Sequence, residues 1–237
     1  MGDDFESVVV DDEYKLVRVR TPFVCLLHWV IVASVITLCV TGLYVGSPIL
    51  MFGTGEPYDA FVMAKTRFVH FVTASVLLTA LLLRLYHSFS PSTRRDIYEI
   101  LPTPSNISGA LHLMWFYLTG KGRHEHYRYL NPLGGISVFL MICLFALETT
   151  TGFALYSQQA NHISWGWALW FPSLMGRIFG GMPGVRLLHH LGMYCLLSLV
   201  VVHVYMKVYV SIVFKEADIV SIISGHKLFR RDVIAQY

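Results

Sequence analysis

His189 and His203 stand fourteen positions apart in an apolar run that reads Arg186-Leu187-Leu188-His189-His190-Leu191-Gly192 and continues to His203-Val204-Tyr205. On an α-helix that interval is roughly 21 Å of rise and a rotation of only about 40°, so the two imidazoles share one face at two depths. One helix presenting imidazoles in this way can ligate two haems, one above the other. An ionisable side chain inside a membrane span is a functional-site candidate by default, because burial in lipid without a partner costs several kcal/mol. The spacing also chooses between neighbours: His190 is thirteen positions from His203, a rotation of about 220° that puts those two on different faces. His189 is the expected ligand.

The elements that must position these rings follow from composition. With 55% hydrophobic and 14% charged residues, a chain of 237 residues has too little polar surface to clothe a soluble domain. An integral membrane protein is expected. Runs of about twenty apolar residues place spans at 22–46, 66–86, 136–156 and 187–214. The predicted architecture is an all-α, four-transmembrane-helix bundle forming one domain over 1–237. The first residues, Met1-Gly2-Asp3-Asp4-Phe5-Glu6, lack the basic start and cleavage site of a signal peptide, and the first apolar run is too long for one, so it is expected to stay attached. Six acidic residues before Tyr14 suggest a loose N-terminal tail.

Cations sort by loop. Lys15, Arg18 and Arg20 precede span one; Arg94, Arg95, Lys121, Arg123 and Arg128 lie between spans two and three; Lys215, Lys227, Arg230 and Arg231 follow span four. The other face carries Lys65, Arg67, Arg177 and Arg186. The positive-inside rule then puts both termini in the cytoplasm. The net charge of +3 is a topological signal, and no basic cluster interleaved with exposed aromatics points to nucleic acid. All four cysteines fall inside spans and none forms a Cys-x-x-Cys-His site, so a haem would be held without covalent links, as b-type, and the thiols are expected to be small buried apolar groups.

Depth pairs the remaining histidines. His28 is about six residues into the first, outward-running span and His70 about four into the second, inward-running one, so His28 lies with His203 on the inner side and His70 with His189 on the outer side. A lone histidine on an apolar helix is more often a hydrogen-bonded core residue; four at two matched depths favour ligation. Fourteen residues after His28 comes Gly42, at the outer level, where the absence of a Cβ lets a flat macrocycle approach; fourteen after His70 comes Arg84, at the inner level, suited to a propionate. Arg67 and Arg186 each precede an outer histidine by one turn and could take propionates, or could snorkel to headgroups as arginines at span ends commonly do. Two axial imidazoles fill both iron positions and leave electron transfer as the chemistry. Thr41-Gly42-Leu43 and Thr151-Gly152-Phe153 recur in spans one and three, with packing as their expected use.

The segments Leu27-His28-Trp29, Thr41-Gly42, Arg67-Phe68-Val69-His70-Phe71, Asn131-Pro132-Leu133, Thr151-Gly152-Phe153-Ala154-Leu155-Tyr156, His189-His190-Leu191-Gly192-Met193-Tyr194 and His203-Val204-Tyr205-Met206 resemble, in order and spacing, the b-type cytochrome subunit of membrane-bound nickel-iron hydrogenases. The wider superfamily of cytochrome b561 proteins and formate dehydrogenase gamma subunits matches less closely. The resemblance implies two haems b, with Gly152 beside Gly42 among the haem-facing residues. It implies electrons entering from the iron-sulfur cluster of a periplasmic hydrogenase small subunit, whose large subunit is also a separate chain, and leaving to quinone near the cytoplasmic side of a bacterial inner membrane. Asn131 is the quinone candidate; Asn-Pro is equally a helix-start signal.

The sequence departs from the family at Leu130, where a histidine is usual, at Tyr209-Val210-Ser211-Ile212 after the fourth span, and at Glu148, where an apolar residue is common. Glu148 is expected to hydrogen-bond locally among Thr149, Thr150 and Thr151. His124 and His126 read as residues of a solvated loop, with proton relay the sharper alternative. Ile107 to Leu118 is expected to form an amphipathic interfacial helix, Trp29, Trp165, Trp167 and Trp170 to form aromatic belts, and the loop from Ser157 to Val185 to receive a periplasmic partner. Two other functions compete with the hydrogenase reading: a free-standing quinol-oxidising cytochrome b561, and a non-redox membrane anchor with structural histidines.

Overall fold

A computed structural model describes residues 7–9, 14–47, 61–90, 93, 95–121, 127, 130–159, 170–214 and 218–230. His124, His126, His162, Trp165 and Trp167 lie outside them. In chain order the elements are β1 (Ser7–Val9), β2 (Tyr14–Arg18), α1 (Pro22–Gly46), α2 (Val62–Ser88), α3 (Arg95–Ile100), α4 (Pro104–Thr119), α5 (Pro132–Gln159), α6 (Trp170–Ile178), α7 (Met182–Val213), α8 (Asp218–Ser224) and β3 (His226–Arg230). Helices α1, α2, α5 and α7 are each long and apolar enough to cross a membrane. Their outward faces carry large apolar side chains where a water-soluble protein would place charge: Val40 is 64% exposed and Phe68 is 68% exposed. Lipid is the solvent that such faces fit.

Three of the four spans run past the limits that apolar runs set, and capping explains one extension. Asn131 Oδ1 accepts from Gly134 N at 2.6 Å with Pro132 in the first turn, so α5 starts four residues before Ile136. The interfacial segment is likewise longer. Thr103 caps α4 through its side chain, Pro104 opens it, and Gly120 closes it at φ 68°, a left-handed backbone suited to glycine. Ala110 and Leu113 are buried on one side of α4, while Ile107, Leu111, Trp115 and Leu118 are exposed on another.

The chain divides into two compact units, and each of the four long helices contributes one end to each. The first draws on 1–33, 79–139 and 201–237 and contains a feature absent from the all-α expectation, a three-stranded antiparallel sheet in the order β1-β2-β3. Tyr14 pairs with Arg230 and Arg18 with His226, so residues 14–18 of the tail expected to be loose are held as a strand. Lys227 is buried there, its Nζ donating to Tyr127 O at 3.1 Å. In the same unit Trp29 Nε1 donates to Ile222 O at 3.2 Å, giving this aromatic a specific contact with α8 as well as an exposed face.

The second unit draws on 34–78 and 140–200. Within it the long helices touch in a closed ring: α1 meets α2 through Thr41 and His70, α2 meets α5 through Phe71 and Tyr156, α5 meets α7 through Thr151 and His189, and α7 meets α1 through Met193 and Gly42. The cysteines correct one expectation. All four are free thiols, but only Cys25 is buried; Cys39 is half-buried, and Cys143 and Cys195 are exposed on apolar helices. A thiol behaves as a small hydrophobe and is as much at home against lipid as in a core.

Candidate functional site

His28 and His203 fall in the first unit and His70 and His189 in the second, so the pairing by depth is also a division by compact unit. His28 lies within electrostatic reach of His203, and His189 within reach of His70 and of His190.

In the second unit His70 and His189 each have a threonine hydroxyl beside one ring nitrogen. Thr41 Oγ1 donates its single proton to Thr37 O at 2.7 Å, one turn back on α1. Its oxygen is left to accept, and His70 Nδ1 stands 2.8 Å away. Thr151 repeats the arrangement on α5: it donates to Leu147 O at 2.7 Å and faces His189 Nδ1 at 2.9 Å. With each hydroxyl proton on its carbonyl, the arrangement suits an imidazole protonated at Nδ1, with the lone pair on Nε2. That is the state a metal-bound histidine needs, and a hydrogen bond to the second nitrogen is the usual device for fixing it. The recurrence of Thr-Gly, read from sequence as packing, serves the histidines.

The glycines act differently from expectation. A Cβ at Gly42 would lie 3.4 Å from His70 Cε1, and one at Gly152 would lie 3.2 Å from His189 Cε1. What stands against these backbones is the imidazole ring, so each Thr-Gly pair supplies an acceptor and the space for the ring that uses it. His190 has a separate seat on α1, where a Cβ at Gly46 would come within 2.8 Å of its Cε1. It does not share the seat of His189.

Glu148 reaches out of its expected neighbourhood. Thr150 and Thr151 donate to the carbonyls of Ala146 and Leu147, whereas Glu148 Oε2 lies 3.1 Å from His189 Nδ1. Oε1 is buried and has no hydrogen-bond partner among the described residues. It occupies the space above Gly192, where any Cβ would collide with it.

The first unit offers other surroundings. His28 has Trp29 edge-on at 5.9 Å, and the cations Arg20 and Lys207 are within electrostatic reach. Arg20 Nε is buried without a hydrogen-bond partner among the described residues, an anion-seeking group that the sequence reading passed over. Its only sequence signal was a cation eight residues before His28. Arg84, expected at a propionate, is engaged by Asp96 Oδ2 at 2.6 Å and by Ser88 Oγ at 2.6 Å. Arg67 and Arg186 are exposed at the ends of their helices. The side-chain oxygen of Asn131 is occupied in capping α5.

These donor sets fit haem b: paired imidazoles from different helices, two of them with a hydroxyl beside Nδ1 that suits Nε2 as the lone-pair atom, and cations within electrostatic reach of His28. No group of three or more His, Cys, Asp or Glu side chains able to hold a metal ion occurs among the described residues. Fold and site together define a helical protein of four candidate membrane spans with histidines gathered in each of its two compact units.

The comparisons agree. The family described as prokaryotic cytochrome b561 matches residues 19–225, and the chain belongs to that family. It is 35% identical over 209 residues to the probable Ni/Fe-hydrogenase B-type cytochrome subunit of Rhizobium leguminosarum bv. viciae, covering 86% of this chain and 85% of that one. It is 28% identical over 237 residues to the subunit of the same name from Cupriavidus necator, covering 97% and 94%. It is 26% identical over 202 residues to the probable Ni/Fe-hydrogenase 1 B-type cytochrome subunit of Escherichia coli K12, covering 84% and 86%.

Proposed function

We propose that this chain is the membrane-anchoring dihaem cytochrome b of a hydrogen:quinone oxidoreductase, passing electrons from a periplasmic hydrogenase iron-sulfur subunit across the bilayer to quinone. The names of its relatives support the hydrogenase partnership, and the absence of a cysteine set for nickel or a cluster assigns hydrogen chemistry to separate small and large subunits. His70 and His189 hold one haem, and His28 and His203 the other. Haem b, when bound, supplies a one-electron carrier whose axial positions are both filled.

The observation that supports this reading is the matched pair of threonine hydroxyls on His70 Nδ1 and His189 Nδ1, at 2.8 and 2.9 Å, which suit Nδ1–H on both rings and leave both Nε2 atoms for a metal. A structural histidine has no need of the same tautomer set in the same way on two helices. Gly42 and Gly152 keep the rings upright against the backbone, and Arg67 and Arg186 meet the propionates of that haem. At the other, Arg20 and Lys207 join Arg84 as candidate propionate partners. Both termini are cytoplasmic in a bacterial inner membrane, on the count of lysines and arginines. Asn131, at the cytoplasmic start of α5, meets the quinone with its amide N–H, since its oxygen is the helix cap.

A reduced-minus-oxidised optical spectrum of the purified full chain, with haem extracted and quantified, tests this. Two haems b per chain are expected. A colourless chain from cells supplied with porphyrin would overturn the redox reading and leave the membrane anchor.

A further inference from the structure

Leu130 and Asn131 lead into α5 in the first unit, and the chain is gripped there more closely than a helix cap requires. Asn131 Oδ1 accepting from Gly134 N is a complete cap by itself. Further contacts converge around it. Glu99 Oε2, on α3, accepts from Leu130 N at 3.2 Å across 31 residues of chain. The backbone of the same glutamate is pressed against α5, since a Cβ at Gly135 would collide with Glu99 O. On α4, a Cβ at Gly109 would lie 3.0 Å from Pro132 Cγ.

We infer that Glu99 is a positioning residue for quinone: by holding the Leu130 N–H it fixes the Leu130-Asn131 peptide and so aims the Asn131 amide at a quinone carbonyl. The inference rests on the proposed quinone role of Asn131 and deepens it.

With Oδ1 taken by Gly134 N, the planar amide of Asn131 directs Nδ2 away from the first turn of α5, so the direction of this donor follows the backbone that carries it. The cap fixes that side chain relative to its own helix. It does not fix the start of the helix relative to α3 and α4, and Glu99 does. The place of Glu99 is set in turn by α4, where Asn106 Nδ2 donates to Tyr98 O at 2.9 Å and to Leu101 O at 2.8 Å. A buried lysine holds the incoming chain as well, Lys227 Nζ donating to Tyr127 O at 3.1 Å. A substrate held by few hydrogen bonds is sensitive to such placement, because a misplacement of about 1 Å can cost on the order of 100-fold. All these residues belong to the unit that contains His28 and His203.

The test is the affinity of the purified full chain for a short-chain benzoquinone and a short-chain naphthoquinone, measured by calorimetry on the oxidised protein. The KM and kcat of haem reoxidation by the same quinones, after reduction with dithionite, accompany it. Glu99→Leu removes the acceptor from Leu130 N and should weaken quinone binding about tenfold, raising KM with kcat and haem content little changed. Glu99→Gln keeps an oxygen for that N–H and should rescue most of the loss. In an Asn131→Ala background, itself weaker in binding, Glu99→Leu should add nothing, since residues that act as one unit are not additive. Asn106→Ala loosens α3 from α4 and should weaken quinone binding in the same direction, which keeps the test decisive if Glu99→Leu fails to fold. Unchanged affinity in Glu99→Leu and Asn106→Ala, a full tenfold loss in the Asn131→Ala background, or no rescue by glutamine overturns the inference while leaving Asn131 and the dihaem relay standing. A wild-type chain that binds neither quinone, or an Asn131→Ala chain that binds as the wild type does, overturns the quinone reading with it.

Discussion

In the unit of His70 and His189 each imidazole is fastened by a threonine hydroxyl and seated on a glycine, and one also meets a carboxylate. In the unit of His28 and His203 the surroundings are aromatic and cationic: Trp29 is edge-on to His28, and Tyr205, two residues past His203, stacks on Tyr209, which meets Tyr117 of α4 and Phe214. The contrast concerns how a ring is oriented. A hydrogen bond to Nδ1 favours one tautomer and one direction of the ring before any ligand arrives. Few side chains therefore carry the first arrangement, and each should be sensitive to small changes.

The largest break in this comparison comes from removing ligands. His70→Ala and His189→Ala should each abolish the same haem, and His28→Ala and His203→Ala each the other, taking the stoichiometry from two to one in all four variants. Haem extraction with redox titration reads this, and loss of different haems by His70→Ala and His189→Ala would show that the pairing is wrong.

Removing an acceptor should cost less. Thr41→Val keeps shape and loses the hydroxyl beside His70 Nδ1, and the haem of that unit should be held about 10- to 100-fold more weakly, the range seen for partners of metal-bound histidines. Thr151→Val should fall short of this, because Glu148 still accepts from His189. Transfer rates to a haem scavenger measure both. Equal losses, or a greater loss in Thr151→Val, would count against Glu148 as a true partner.

The smallest effect should lie at Arg84. Its pair with Asp96 is partly exposed, 23% and 27% for the two side chains, so Asp96→Asn should lower stability by about 1 kcal/mol or less in detergent unfolding. Both haems should remain. If Asp96→Asn instead removes the haem of His28 and His203, Asp96 is what positions Arg84 for its propionate.

What could be read from sequence depended on local rules. The start and end of α1 coincide with its apolar run, Pro22 to Gly46, because a span must keep lipid contact along its whole length. The division of the four histidines into two sets was readable because 3.6 residues per turn converts spacing into face and depth. The limits of α5 were misjudged at Asn131-Pro132, where the cap is polar and escapes a hydropathy count. Thr41 and Thr151 were visible as a recurring pair without a purpose, since nothing in a sequence says that a hydroxyl on one helix meets a ring 29 or 38 residues away on another.

Membrane class and span number are properties of single segments, and the order of residues along each segment was enough to read them. The threonine contacts of His70 and His189, the reach of Glu148 past its own threonines, the engagement of Arg84 by Asp96 and the strand pairing of Tyr14–Arg18 with His226–Arg230 are properties of pairs. Tertiary structure alone decided them, because a hydrogen bond depends on distances of a few ångströms between atoms whose separation along the chain carries no such information.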